Sequence, residues 1–169
     1  MKGLVVKEIV LADDTLITSK TDLRGDIIYA NDDFLKYAGY TMDEILYKPH
    51  SIVRHEDMPR TVFKCLWDYI TKGHEIFAFV KNKAKSGDYY WVFANITASF
   101  DGGGNIINYY SVRRKPNAKA IPIMESVYKT LLEKEKQGGI KAGVETLMEV
   151  VNSYKVTYNQ LIFDLQENN

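Results

Sequence analysis

The sequence predicts an α+β domain with one antiparallel sheet and helices on one face. Three observations carry this. Strand-like runs sit at both ends of a stretch of roughly 100 residues, short capped helical pieces and one amphipathic helix lie between them, and the strand connections are turns too short for parallel crossovers.

Residues 15 to 30 alternate loosely, with Leu16, Ile17, Ile27, Ile28 and Tyr29 flanking the turn-like run Thr21 to Asp26, which reads as a β-hairpin. Asn31 to Gly39 has a polar cap, an acidic first turn and a closing glycine, the marks of a short helix. Thr41-Met42-Asp43-Glu44 has capping-box spacing and opens another short helix before Pro49. From Asp57 to Gly73, Val62, Phe63, Leu66, Trp67 and Ile70 recur at three- and four-residue steps, so the main helix falls here. Ile76 to Lys83, Tyr89 to Phe100 and Ile106 to Arg114, separated by Gly-containing turns, read as three successive antiparallel strands. Asn117 to Lys136 is helical by periodicity and is stopped by Gln137-Gly138-Gly139. Beyond it Leu147, Val151, Tyr154, Tyr158, Leu161 and Leu165 step alternately by four and three, an a/d seam of nearly three heptads. Docking on the chain's own domain and packing on a partner are both open for this seam. The division expected is an N-terminal segment 1–11, a domain over 12–116 and a C-terminal helical extension 117–169.

Twenty-two Lys plus Arg balance twenty-two Asp plus Glu, so the formal net charge is zero and a polyanion-binding surface is not indicated. Nucleic acid is not an expected partner. Charged residues interrupt the N-terminus at Lys2 and Lys7, and no stretch approaches about 18 uncharged apolar residues, so a cytoplasmic chain without membrane insertion is expected. The single cysteine, Cys65, can form no internal disulfide and no multi-cysteine metal site.

His50, Arg54, His55 and Asp57 crowd together directly before the main helix. They can bind an anion through a guanidinium fork and a helix start, or Asp57 can simply cap the helix while Arg54 pairs with an acid. The second histidine of a zinc-protease helix is missing. Trp67 and Trp91 fit core positions, whereas Lys81, Asn82 and Asn95 interrupt apolar strands. An inward amide reads the donor and acceptor edge of a heterocycle, and an outward one is solvated. Periodicity leaves both open.

Asp13-Asp14-Thr15, Tyr29-Ala30-Asn31-Asp32, Lys48-Pro49-His50, Val53-Arg54-His55-Glu56-Asp57-Met58-Pro59, Trp67, Val80-Lys81-Asn82-Lys83, Tyr90-Trp91-Val92, Ala94-Asn95 and Tyr110-Ser111-Val112-Arg113 resemble, in order, the PAS domain of bacterial aerotaxis receptors. The resemblance covers about residues 12 to 116, and the chain looks like the stand-alone PAS proteins of energy taxis. It implies a five-stranded antiparallel PAS sheet enclosing non-covalent FAD, and signalling to a membrane-bound methyl-accepting partner; a homodimer through the C-terminal helix is a further option that rests on the heptad spacing and not on the resemblance. It carries flavin binding onto Arg54, His55 and Asp57, with Trp67 and Asn82 as further matches and Asn31 and Asn95 as pocket or structural ones. One departure is Ile76-Phe77-Ala78-Phe79 where the family often has a tryptophan, which implies a differently shaped wall.

A fixed cation near the pyrimidine end of a flavin favours its reduced form, for which Arg54 is the candidate, and His55 is a candidate for pH dependence. No nucleophile–base pair is apparent, so substrate turnover is not expected. The alternatives are a haem gas sensor using His50, His55 or His74, and a ligand-free dimerisation adaptor. A cysteinyl photoreceptor is disfavoured, because the segment that carries its cysteine reads Ser51-Ile52-Val53-Arg54-His55.

Overall fold

In a computed structural model describing residues 5–168, the period-2 pattern becomes five strands: β1 (Ile17–Thr21), β2 (Ile27–Ala30), β3 (Ile76–Lys83), β4 (Tyr89–Phe100) and β5 (Ile106–Arg114). Their order is β2-β1-β5-β4-β3, and neighbours run antiparallel throughout. The hairpin turn between β1 and β2 is held by the Asp22 carboxylate, which accepts from the backbone N–H of Arg24 (2.9 Å) and Asp26 (3.0 Å). Gly25 completes it at φ 93° with Trp67 against its backbone, a place where a Cβ would lie 3.0 Å from the indole.

Between β2 and β3 the chain forms α1 (Asp32–Ala38), α2 (Met42–Ile45), a 3₁₀ turn at His50–Val53 and α3 (Arg60–Ile70). Asn31 caps α1 by accepting from the Phe34 N–H, and Gly39 ends it in the left-handed region. The expected start of the main helix is corrected. Pro59 stands at its N-cap and Asp57 does not cap it, because the preceding residues run along β3: Arg54 bridges Asn82 in antiparallel fashion. Residues 7–9 also pair with Tyr89, and Leu11 is buried, so part of the N-terminal segment belongs to the core.

Because side chains alternate along a strand, Val80 and Asn82 of β3 and Ala94 and Ile96 of β4 face α3. Phe77, Phe79, Trp91 and Phe93 point the other way. That second face is covered by α4 (Ala120–Ser153) and α5 (Tyr158–Glu167): Tyr128 stacks on Trp91 and donates to the Phe79 carbonyl at 2.5 Å, while Phe163 packs edge-on to Phe77. The helices between β2 and β3 thus take one face of the sheet and the C-terminal helices the other.

The C-terminal extension departs from a continuous seam. Gly138 (φ −140°) and Gly139 (φ 70°) break α4, and its second half folds back so that Leu147 and Val151 meet Met124 and Val127. The helix ends at Ser153, leaving Tyr154 half exposed between α4 and α5. Leu147, Val151, Tyr158 and Leu161 are buried in the same apolar core as Trp91 and Phe79. Of the two readings open for this stripe, docking on the chain's own domain is the one these four residues take.

Candidate functional site

The main helix and the sheet enclose a cavity of about 250 Å³. Helical spacing puts Phe63, Leu66, Trp67 and Ile70 of α3 on one wall, and strand alternation puts Val80 and Ala94 on the other. The Trp67 ring is fixed edge-on to Tyr109 at 5.6 Å. An apolar cavity results, with an exposed polar mouth and a buried polar end.

One end is the mouth. Arg54 is exposed there, its guanidinium lying flat on the Phe63 ring at 3.6 Å, and burial of part of the group lowers its pKa from the ordinary arginine value. The other end is deep. Arg113 is only 3% exposed; it donates to Ser111 Oγ (3.0 Å), to His50 Nε2 (2.9 Å) and to Ser19 Oγ. Loss of hydration pulls its pKa down to about 10. Since His50 Nε2 accepts from a guanidinium, its ring hydrogen sits on Nδ1, and burial together with the Arg113 charge holds the imidazole neutral with a pKa of about 3. Burial likewise pushes the Tyr90 phenol up to about 12, against the opposing pull of Arg113 and of a hydrogen bond from Asn82.

Of the seven residues that the resemblance carries over for flavin binding, the structure brings three together: Arg54, Trp67 and Asn82 line the cavity, as does His50 of the cluster before the main helix. His55 and Asp57 stand outside it. Lys81 Nζ donates to Asp57 at 2.7 Å and lies 4.3 Å above the Tyr89 ring, and the Lys81 contact lowers the Asp57 pKa. His55 Nδ1 accepts from the Asp57 N–H at 3.0 Å, so its 3.7 Å approach to the Asp57 carboxylate is that of a neutral ring, and burial lowers its pKa further. These contacts clamp residues 54–58 against β3 and thereby place Arg54 beside Asn82.

Asn31 and Asn95 are also outside the cavity lining. The Asn31 amide is consumed by α1 and β1, accepting from Thr18 N (3.0 Å) and Phe34 N (3.0 Å) and donating to the Leu16 carbonyl (2.7 Å). Asn95 lies opposite Phe77 on the other face and donates to Glu75 at 3.1 Å. Cys65 points toward the tail helices, where burial pushes its thiol up to about 11.

Arg113, Ser19, Ser111 and His50 form the deep polar end, which the sequence reading did not assemble. The available signal was period 2: Tyr109, Ser111 and Arg113 share one face of β5, as Ile17 and Ser19 do on β1, and the two strands pair Ser19 with Ser111.

A sheet in this order, with short helices and α3 closing a slot over one face, defines a sensor-type domain. The sequence pattern described as PAS fold matches residues 27–113, and the chain belongs to that family. It is 42% identical over 121 residues to the aerotaxis receptor of Escherichia coli (strain K12), covering 72% of this chain and 24% of the receptor. The nitrogen fixation regulatory protein of Klebsiella pneumoniae is 26% identical over 96 residues, 57% of this chain and 19% of that protein. The chain thus spans a quarter or less of the length of these curated relatives. Among solved structures, the light state of the blue-light photoreceptor Aureochrome1 LOV superposes with a TM-score of 0.55 at 27% identity, covering 71% of this chain and 91% of that one. A light-oxygen-voltage domain studied with a flavin analogue gives 0.57 at 23% identity over 73% and 88% of the two chains, a likeness of fold.

Proposed function

We propose that this chain is a flavin-binding redox or energy sensor that holds FAD in the α3–sheet cavity and signals to a membrane-bound methyl-accepting protein of the chemotaxis machinery. The observation that carries the reading is the cavity itself: apolar-walled, about 250 Å³, with Trp67, Asn82, Arg54 and Arg113 in its lining. Small-molecule sites run from about 300 Å³ upward, so this one would suit a fused ring system alone, and Arg54 at the mouth would be the residue to hold the charged remainder of a dinucleotide. The aerotaxis resemblance supports the choice of FAD and of the partner, and the photoreceptor neighbours support a flavin ring as the occupant.

A bound flavin would supply reversible electron uptake. The protein's own residues do the rest. Trp67 and Phe63 cover the ring and exclude water, Asn82 reads a polar ring edge, and Arg54 screens charge at the mouth. The Arg54–Met58 clamp on β3 keeps that arrangement fixed through Lys81 and Asp57. Haem is not favoured by the histidines' placement: His50 Nε2 is taken by Arg113, His55 lies outside the cavity, and His74 is exposed. The relatives' printed roles are reception and regulation, in keeping with sensing rather than turnover, and among the described residues no helix is long and apolar enough to cross a membrane.

The deciding experiment is the absorption spectrum of the purified protein, followed by heat release and chromatographic identification of the flavin. The reading requires a two-band flavin spectrum, bleaching with dithionite, and FAD in the supernatant. FMN would overturn the choice of cofactor. A Soret band, or a colourless protein that FAD cannot reconstitute, would overturn the sensor reading itself.

A further inference from the structure

A buried guanidinium normally sits against a carboxylate, because an uncompensated charge in a dry interior costs several kcal/mol. Arg113 has none within ion-pair distance among the described residues. Its contacts are the neutral atoms Ser19 Oγ, His50 Nε2 and Ser111 Oγ, with the Phe34 ring 5.3 Å away. His50 cannot help by ionising, since a proton there would add a second cation. Arg113 is among the residues that line the cavity, so a ligand bound there can supply the missing negative charge.

We propose that the deep end of the cavity is an anion subsite, in which Arg113 takes the negatively charged edge of a heteroaromatic ligand and binds that ligand more tightly when the edge is charged. The proposal rests on the flavin reading for the identity of the ligand. Arg54, exposed and stacked on Phe63, does not discriminate in this way, because water screens a charge at the mouth. Ser19, Ser111 and His50 are positioning residues that aim the guanidinium, and Asn82 reads the neutral part of the edge.

The test uses the full chain stripped of ligand and measures the affinity for oxidised FAD and for FAD reduced anaerobically with dithionite. Dithionite passes two electrons to the ring and is itself oxidised to sulfite; one proton enters from water, and the ring is left with one negative charge. The native protein should bind the reduced form at least about tenfold more tightly, the gain typical of a charge-assisted contact. Arg113→Gln should bring the ratio close to one, while Arg54→Ala weakens both forms alike. Ser111→Asp guards against a variant that fails to fold, because it places a carboxylate beside Arg113 Nε. It should abolish the preference and raise the melting temperature of the ligand-free protein. A ratio near one in the native protein, or a preference that survives Ser111→Asp, overturns the subsite. Binding of neither form by the native protein would sink the flavin reading alone. The subsite would then stand or fall on whether ligand-free Ser111→Asp melts above the native protein.

Discussion

Glu135 of the tail accepts two hydrogen bonds from Thr61, from its backbone N–H and from its hydroxyl, each 2.8 Å long. The carboxylate is 8% exposed and stands at the N-terminus of α3, where its charge meets unsatisfied N–H groups and the Arg60 guanidinium at 3.7 Å. Gly143 lies against the same threonine so closely that a Cβ would come within 2.0 Å of Oγ1. α3 therefore touches the cavity with one face and the tail with its first turn. Glu135→Ala should cost about 2–3 kcal/mol, since bonds to a charged acceptor are lost and two buried donors are stranded. For a chain of this size that is a fall of about 5–10 °C in melting temperature, and Glu135→Gln should lose less. Equal melting of all three proteins would show that the contact is idle.

What the sequence made legible was whatever depends on local pattern. The hairpin, the capped helix at Asn31, the α3 stripe and the β3–β5 meander all follow from caps, turns and periodicity, and each stands where expected to within a few residues. The run from Leu147 to Leu165 is not one continuous seam, and its spacing left own-domain docking and partner packing open, because a four-three spacing says nothing about the break at Ser153, nor about an apolar sheet face waiting for cover. Of the cavity lining, Arg54 and Asn82 stood out in the sequence as polar groups beside apolar runs, and with Trp67 they match the resemblance. Arg113 escaped because the first of three consecutive cations, Arg113-Arg114-Lys115, at the end of a strand run looks solvated. Its burial arises only when β1, β5 and the His50 turn are assembled.

Mouth and surface charges should separate cleanly. Arg54→Ala should weaken FAD retention by about 1.5–3 kcal/mol, whereas Lys36→Ala, which alters an exposed side chain on α1, should stay within about 0.5 kcal/mol. Flavin occupancy after gel filtration, at matched circular dichroism, reads the difference. Equal occupancy in the two variants would make Arg54 a structural residue only.

Blue light should leave no cysteinyl adduct, because Cys65 faces the tail helices and is not among the residues lining the slot. Loss of flavin absorbance that recovers slowly in the dark, and is absent in Cys65→Ser, would contradict this placement.

His50 carries an acid sensitivity whose sign is fixed. Its pKa is about 3 in the folded protein against 6.5 when exposed, so its contribution to stability is complete above about pH 6.5. As pH falls toward 3, protons bind the unfolded chain first, and the ligand-free protein should lose on the order of 1 kcal/mol per pH unit below pH 6. His55, also lowered, adds a smaller part of the same sign. Urea melts between pH 4.5 and 7 should show the slope, and His50→Gln, which keeps an acceptor for Arg113, should flatten most of it. An unchanged slope in that variant would place the effect elsewhere.

Removing residues 140–169 should destroy the domain rather than release an arm. The cut takes away Leu147, Val151, Tyr158, Leu161 and Ile162, each at most 7% exposed, together with Asn159, whose side chain accepts from the Phe77 N–H at 2.9 Å and donates to the Glu75 carbonyl at 2.9 Å. At roughly 1.5–3 kcal/mol for each large apolar side chain, the loss is comparable with the whole stability of an ordinary domain, about 5–15 kcal/mol. It would also bare the Phe77 and Phe93 side of the sheet, a wide apolar surface next to the exposed edge of β3. The truncated chain should therefore aggregate or express as insoluble protein and fail to take up FAD. Substitutions confined to exposed positions of the same helices, such as Glu149→Ala, should leave folding and flavin uptake intact. A soluble, monomeric truncation that still binds FAD would mean that the sheet does not need its tail, and that these helices are free to serve a partner instead.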